Sequence, residues 1–227
     1  MILLIGLLAM LGLAFGPGLW VKHVLARYSE PRGDFPGTGG ELARHLLDEM
    51  KLDHVTVEQT KLGDHYDPEA KAVRLSPNHH DGRSLSAVAV AAHEVGHAMQ
   101  DATGYAMLKR RTSMAKMTQV LEKIGGVVML GAPLLALLTR SHAGFVVEFL
   151  AGLAILGMSV VIHLVTLPVE IDASFNRALK VLEIGRYLPE DDMPAVRKIL
   201  WAAALTYVAA AMMSLLNVAR WLRVLRF

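Results

Sequence analysis

Cysteine is missing from the 227 residues, which rules out disulfides, iron–sulfur clusters and thiolate metal sites; any metal must then be held by histidine and carboxylate. The redox compartment therefore leaves no trace in the chain. An excess of one charge is missing as well: 23 Lys and Arg stand against 21 Asp and Glu, a net of +2, so there is no electrostatic case for nucleic-acid binding. No internal repeat or low-complexity segment is visible. What is abundant is apolar: 53% of the residues are hydrophobic and the mean hydropathy is +0.39, high for a water-soluble domain and pointing first to a membrane protein.

Ile2 to Val21 form an uncharged run of twenty residues, matching the ~20 needed to cross a hydrocarbon core of about 30 Å. No Lys or Arg precedes it and it is longer than a signal-peptide core, so a retained helix is preferred to a cleaved leader. The chain is predicted as transmembrane helix 1 (1–21), a cytosolic region (22–123), transmembrane helices 2 and 3 (124–167), a second cytosolic segment (168–198) and transmembrane helix 4 with a basic C-terminus (199–227). The two cytosolic stretches hold 14 and 5 Lys and Arg, a total of 19 against Arg140, Arg220, Arg223 and Arg226 elsewhere, as expected if the large region faces the cytoplasm. The three C-terminal arginines form one basic helix face that either snorkels to headgroups or marks a last segment that does not fully cross.

Within 22–123 the pattern is that of a small α+β element. Thr38-Gly-Gly-Glu41 has capping-box spacing and opens a periodic segment through Leu42, Leu46, Leu47 and Met50. Val55 and Val57, then Val73 and Leu75, sit in alternating runs around a turn-rich segment, which predicts a β-hairpin with Ala72 to Ser76 as its second strand. Proteases hold extended substrates along an exposed strand, and this strand has two readings, substrate rail or simple closure of the small domain. Ser84 or Ser86 then caps a helix running to Met99.

That helix carries His93-Glu94-Val95-Gly96-His97. Residues four apart lie ~6 Å apart along a helix and on nearly one face, so both imidazoles can reach one ion. Glu94 follows the first histidine, where a carboxylate can take a proton from water and hand it to a leaving amine. Zn2+ suits such imidazole and carboxylate donors. With 10 His and 11 Glu in the chain, chance alone would produce this pentapeptide in roughly a few per cent of shuffled sequences; an incidental histidine pair on a solvated helix is the bland reading.

A catalytic zinc needs a third protein ligand. Glu170 is proposed for it, since two crossings separate it from His97 and return it to the same side. Asp172 points elsewhere on a continuing helix and is assigned to orienting a ligand histidine; the reversed assignment stays open, as does capping of a helix start by both. His163, seven residues before Glu170, is a candidate lining residue and, as an ionisable group in an apolar span, a functional candidate. His79, His80 and Tyr105 are weaker candidates for stabilising an oxyanion.

The run Val73-Arg-Leu-Ser-Pro77, Gly82-Arg-Ser, Ala91-Ala-His-Glu-Val-Gly-His-Ala98 with Gln100, Ala102-Thr-Gly-Tyr105 and Leu167-Pro-Val-Glu-Ile-Asp-Ala-Ser174 resembles the YugP-like family of bacterial membrane zinc metallopeptidases. The resemblance implies a zinc peptidase related at its active site to the HtpX-like proteases, with His93, His97 and Glu170 as ligands and Glu94 as base. One position departs: the HtpX-like group carries an aspartate four residues after the ligand glutamate, and Ser174 stands there in this chain.

The sequence thus predicts a mainly α membrane protein of about four transmembrane helices with a small zincin-like α+β cytosolic element of helix, β-hairpin and metal-binding helix. The expected activity is zinc-dependent endopeptidase cleavage at or near the cytosolic membrane surface, on peptide or protein substrates that include membrane-anchored ones, with the lipid bilayer as the other partner. Two alternatives stand beside it: an intramembrane protease of single-span substrates, and a catalytically silent membrane scaffold with a structural metal.

Overall fold

The computed structural model describes residues 2–139, 142–206, 208, 209 and 212. These fall into two compact units, one holding the described residues of 1–18, 110–166 and 207–227 and the other those of 19–109 and 167–206. Eight α-helices are described: α1 (Ile2–Arg27), α2 (Gly39–Glu49), α3 (Pro77–His80), α4 (Leu85–Ala102), α5 (Ala106–Thr139), α6 (His142–Ile171), α7 (Leu179–Ile184) and α8 (Met193–Ala204). A π-helical stretch, Asp172–Ala178, follows α6 directly.

The second unit is built around α4. Ser84 caps it, its hydroxyl accepting from the Ala87 amide at 3.2 Å, and 15 of its 18 residues are buried. A helix buried on every side must be apolar or have its polar groups satisfied internally, and α4 does both: alanine and valine fill most of its surface while the histidines and Gln100 find protein partners. Packed around it are α2, α8 and the π-helical stretch. The predicted capping box starts α2: Thr38 Oγ1 accepts from the Glu41 amide at 3.2 Å and the Thr38 amide donates to Glu41 Oε2 at 2.7 Å. Ala43, Leu46 and Leu47 are its buried face.

The sheet has three strands, β1 (Thr56–Gln59), β2 (His65–Asp67) and β3 (Ala72–Leu75), in the order β1-β3-β2. Here the expected hairpin is corrected. The Val57 and Val73 runs do pair, in register, but in parallel; the true hairpin is β2 with β3, antiparallel. The turn between them is set by Asp67, whose Oδ1 accepts from the amides of Glu69 and Ala70 at 2.9 and 3.1 Å, an Asx turn closed by Lys71 at φ 53°. Because β3 is bonded on both sides, Ala72–Ser76 offers no free edge, and the substrate-rail reading of that strand falls.

A second correction concerns the membrane. Among the described residues, no helix is long and apolar enough to cross one, against the expected four or so transmembrane helices. The helices run past the apolar stretches: α1 continues through Lys22, His23 and Arg27, α5 carries Lys109, Arg110, Arg111, Lys116, Glu122 and Lys123 before its apolar part, α6 begins with His142 and ends through Pro168 and Glu170, and α8 has 12 residues where about 20 are needed. Much of the predicted fourth span and its arginines Arg220, Arg223 and Arg226 lie outside the described residues. Counting crossings therefore gives no reason for Glu170 to share a side with His97. That reason has to come from direct contact.

Candidate metal centre

Contact supplies it. His93 and His97 stand one turn apart on α4, their ring centroids 4.8 Å apart and the rings near perpendicular at 78°. Glu170, in the last turn of α6, sends Oε2 to within 3.1 Å of His97 Nε2 and 3.4 Å of His93 Nε2. His93, His97 and Glu170 are each at most 4% exposed, and Glu94 is 5% exposed beside them. Ligand atoms of His93, Glu94 and His97 all lie within 4.8 Å of one another.

The approach depends on Gly96. A Cβ at this position would lie 2.5 Å from the Ala173 carbonyl oxygen, well inside any allowed separation, so only glycine lets α4 meet the π-helical backbone at this distance. π-Helical turns widen a helix and recur where a side chain must be re-aimed; this one begins two residues after Glu170.

The outward ring nitrogens are tied to protein. His93 Nδ1 donates to Ser174 Oγ at 2.9 Å, and the Ser174 hydroxyl in turn donates to the Leu200 carbonyl of α8 at 3.1 Å. With its proton spent there, Ser174 serves His93 only as an acceptor. His97 Nδ1 donates to Gln100 Oε1 at 2.9 Å. In both rings Nδ1 is thus the nitrogen bonded to protein, and Nε2 faces the same carboxylate oxygen.

The expected direct contact of Asp172 with a ligand histidine is corrected: Gln100 stands between. Asp172 Oδ2 accepts from Gln100 Nε2 at 2.8 Å and from Arg177 Nε at 2.9 Å, and Oδ1 accepts from Asn176 at 3.0 Å. Burial pushes the Asp172 carboxyl up, but the hydrogen bonds from Gln100, Arg177 and Asn176 outweigh it and hold the group below the ordinary aspartate value. The spacing of Gln100, three residues after His97 and so on the same helix face, was the available signal for it. Ser174 carried one too, standing four residues after Glu170.

Other candidates lie elsewhere. The side chain of His163 is outside the described part of the structure. His79 is bound to Asp64 and Ser76, His80 to Asp81, and the Tyr105 ring lies 5.7 Å beneath the Arg177 guanidinium. None of these is brought to the histidine pair by a described contact.

Zinc fits the residues present. It favours imidazole and carboxylate donors in tetrahedral array, and bonds of roughly 2.0–2.1 Å place neighbouring donors about 3.3 Å apart. The separations of 3.1 and 3.4 Å from Glu170 Oε2 bracket that value. Two imidazole nitrogens turned toward one buried carboxylate oxygen are a donor set that a divalent cation can bridge.

Two histidines four apart on a helix, the intervening glutamate and a distant carboxylate converging on them define the class: a zinc-peptidase type of metal centre. The chain belongs to the family described as "Putative neutral zinc metallopeptidase", whose model matches residues 2–226. It is similar to a Bacillus subtilis protein called "Putative membrane protease YugP", 37% identical over 219 residues, or 96% of this chain and 93% of that protein. No solved structure matches.

Proposed function

We propose that the protein is a zinc-dependent endopeptidase in which His93 Nε2, His97 Nε2 and Glu170 Oε2 hold the ion and Glu94 is the general base. The observation that carries this is the convergence of two imidazole Nε2 atoms on one buried carboxylate oxygen, with both outward nitrogens already bonded to protein. When bound, zinc supplies Lewis-acid polarisation of a carbonyl and lowers the pKa of a coordinated water to about 7. Glu94, held among the same buried groups, accepts the proton of the attacking water and delivers it to the leaving amine. A purely structural site has no use for that carboxylate, which argues against a silent scaffold.

The substrates proposed are peptides and proteins close to a membrane surface. Support comes from the name of the Bacillus relative and from exposed apolar side chains: Leu19 and Trp20 on α1, Ile124 and Val127 on α5, Leu150 and Val165 on α6. Apolar side chains exposed in this way are available to lipid or to a protein partner.

Glu94→Gln tests the mechanism. The variant should retain zinc through dialysis and lose peptidase activity by about 10²–10⁴-fold, the usual contribution of a general base. Wild-type turnover by that variant would overturn the assignment. Running casein in competition with a peptide carrying an apolar anchor reads the substrate preference, and preference for casein would count against the membrane-surface reading.

A further inference from the structure

Gln100 is a side chain with a free choice of two orientations in isolation and none in its site. Its Nε2 lies 2.8 Å from the Val169 carbonyl and 2.8 Å from Asp172 Oδ2. Both partners accept hydrogen bonds and neither can donate, so the group facing them must be the NH2 and the group facing His97 must be the carbonyl oxygen. A flipped amide would set its oxygen against a carboxylate and a main-chain carbonyl while buried, with all three unsatisfied. Oε1 can only accept from His97 Nδ1, which obliges the ring to carry a proton there and reserves Nε2 as the nitrogen that can take a metal.

We infer that Asp172, together with the Val169 carbonyl, selects the metal-binding tautomer of His97 without touching it, by locking the Gln100 amide in the single orientation that accepts from Nδ1. Arg177 Nε and Asn176 Nδ2 hold Asp172 from behind. The order is Arg177 and Asn176, Asp172, Gln100, His97, and each member fixes the next by donor and acceptor identity alone. Gln100 and Asp172 are positioning residues; neither touches reacting atoms. His93 needs no such relay, because Ser174 reaches it directly. The inference rests on the reading of His97 as a zinc ligand.

The tautomer is read in the metal-free full-length protein from its histidine ring ¹H–¹⁵N correlations, and zinc affinity is measured separately by competition with a chelator. The wild type should show His97 protonated at Nδ1. Gln100→Leu should shift the ring toward the Nε2-protonated form and weaken zinc binding by about 10–100-fold, the usual cost of removing the partner that orients a ligand. Asp172→Ala should give a mixture of tautomers and a smaller loss. Asp172→Asn should behave as wild type, because Arg177 and Gln100 both donate to the Oδ2 position and will hold the amide oxygen there, while the exposed Asn176 amide turns its oxygen to the new NH2. Rescue by asparagine separates the lock from loss of packing, which alanine alone would not. An unchanged His97 tautomer in Gln100→Leu, or in Asp172→Ala should the leucine variant fail to fold, overturns the inference. His97→Ala separates the two claims: zinc retained there overturns the ligand reading, whereas zinc lost there with an unmoved tautomer in Gln100→Leu overturns the lock alone.

Discussion

Two clusters in the α4 unit are made of the same materials, a histidine, a serine and a carboxylate, and they spend their hydrogen bonds in opposite ways. In the first, Asp64 Oδ1 accepts from both the amide and the hydroxyl of Ser76 at 2.7 and 2.9 Å, Oδ2 lies 2.7 Å from His79 Nδ1, and Ser76 Oγ also lies 3.2 Å from that nitrogen. Both carboxylate oxygens face donors. The knot ties the segment before β2 to the start of α3. At the metal centre the serine and the glutamine occupy the Nδ1 atoms, and one carboxylate oxygen faces both remaining Nε2 atoms. Composition does not separate a fastener from a ligand set. The direction in which the lone pairs point does.

The sharpest way to break that comparison is to remove the carboxylate on each side. Glu170→Ala should cost zinc affinity by more than the ~10–100-fold that loss of an outer partner brings, measured as zinc content after dialysis against a graded chelator series. Asp64→Ala should leave the zinc content untouched. A wild-type zinc content in Glu170→Ala would mean that its approach to the histidines is packing and no more. Gly96→Ala comes next. Its Cβ would meet three main-chain atoms of Ala173, at 2.5, 3.1 and 3.3 Å, and backbone cannot swing aside as a side chain can. A loss of about 1–3 kcal/mol in unfolding free energy is expected, together with weaker zinc binding as Glu170 is pushed from α4. Stability lost with zinc affinity intact would show that the close approach is not what aims Glu170.

How far the sequence reveals this arrangement depends on how local each part is. His93 and His97 are legible because helical spacing alone puts them together, and the capping box at Thr38 is legible for the same reason. Glu170 rests, in the sequence, on the need for a third ligand, on counting crossings and on the family resemblance, and although it is the residue in contact, the crossings are not borne out by the described helices. Asp172 was placed one residue too close, since spacing says which side chains share a helix but not that Gln100 from another helix will fill the gap. The sheet shows the same limit. Alternation marks Val57 and Val73 as strand residues, yet parallel pairing leaves no local sign; the local sign, Asp67 in its Asx turn, belongs to the β2–β3 hairpin. Hydropathy counts apolar residues in a window and is silent on the charged turns that a continuous helix such as α1 or α5 incorporates.

Smaller effects refine the contrast. Ser174→Ala removes the acceptor of His93 Nδ1 and should cost zinc affinity roughly tenfold, less than the loss in Glu170→Ala because the ring remains packed against His97. The least perturbing test lies in the other cluster. Burial raises the Asp64 carboxyl, but the hydrogen bond and charge of His79 and the two hydrogen bonds from Ser76 prevail, so its pKa in the folded protein is below the ordinary value. A depressed carboxylate stabilises the fold fully above its unfolded pKa, about 3.9, and that contribution drains away as pH falls through the folded value. Asp64→Asn should therefore be less stable than wild type at neutral pH, and the gap should narrow as pH drops below about 4. Urea denaturation of the metal-free proteins at both pH values isolates the effect from zinc release. A gap that stays constant into acid would assign the cluster's contribution to shape and neutral hydrogen bonds, and the difference between fastener and ligand set would then rest on lone-pair direction without any help from charge.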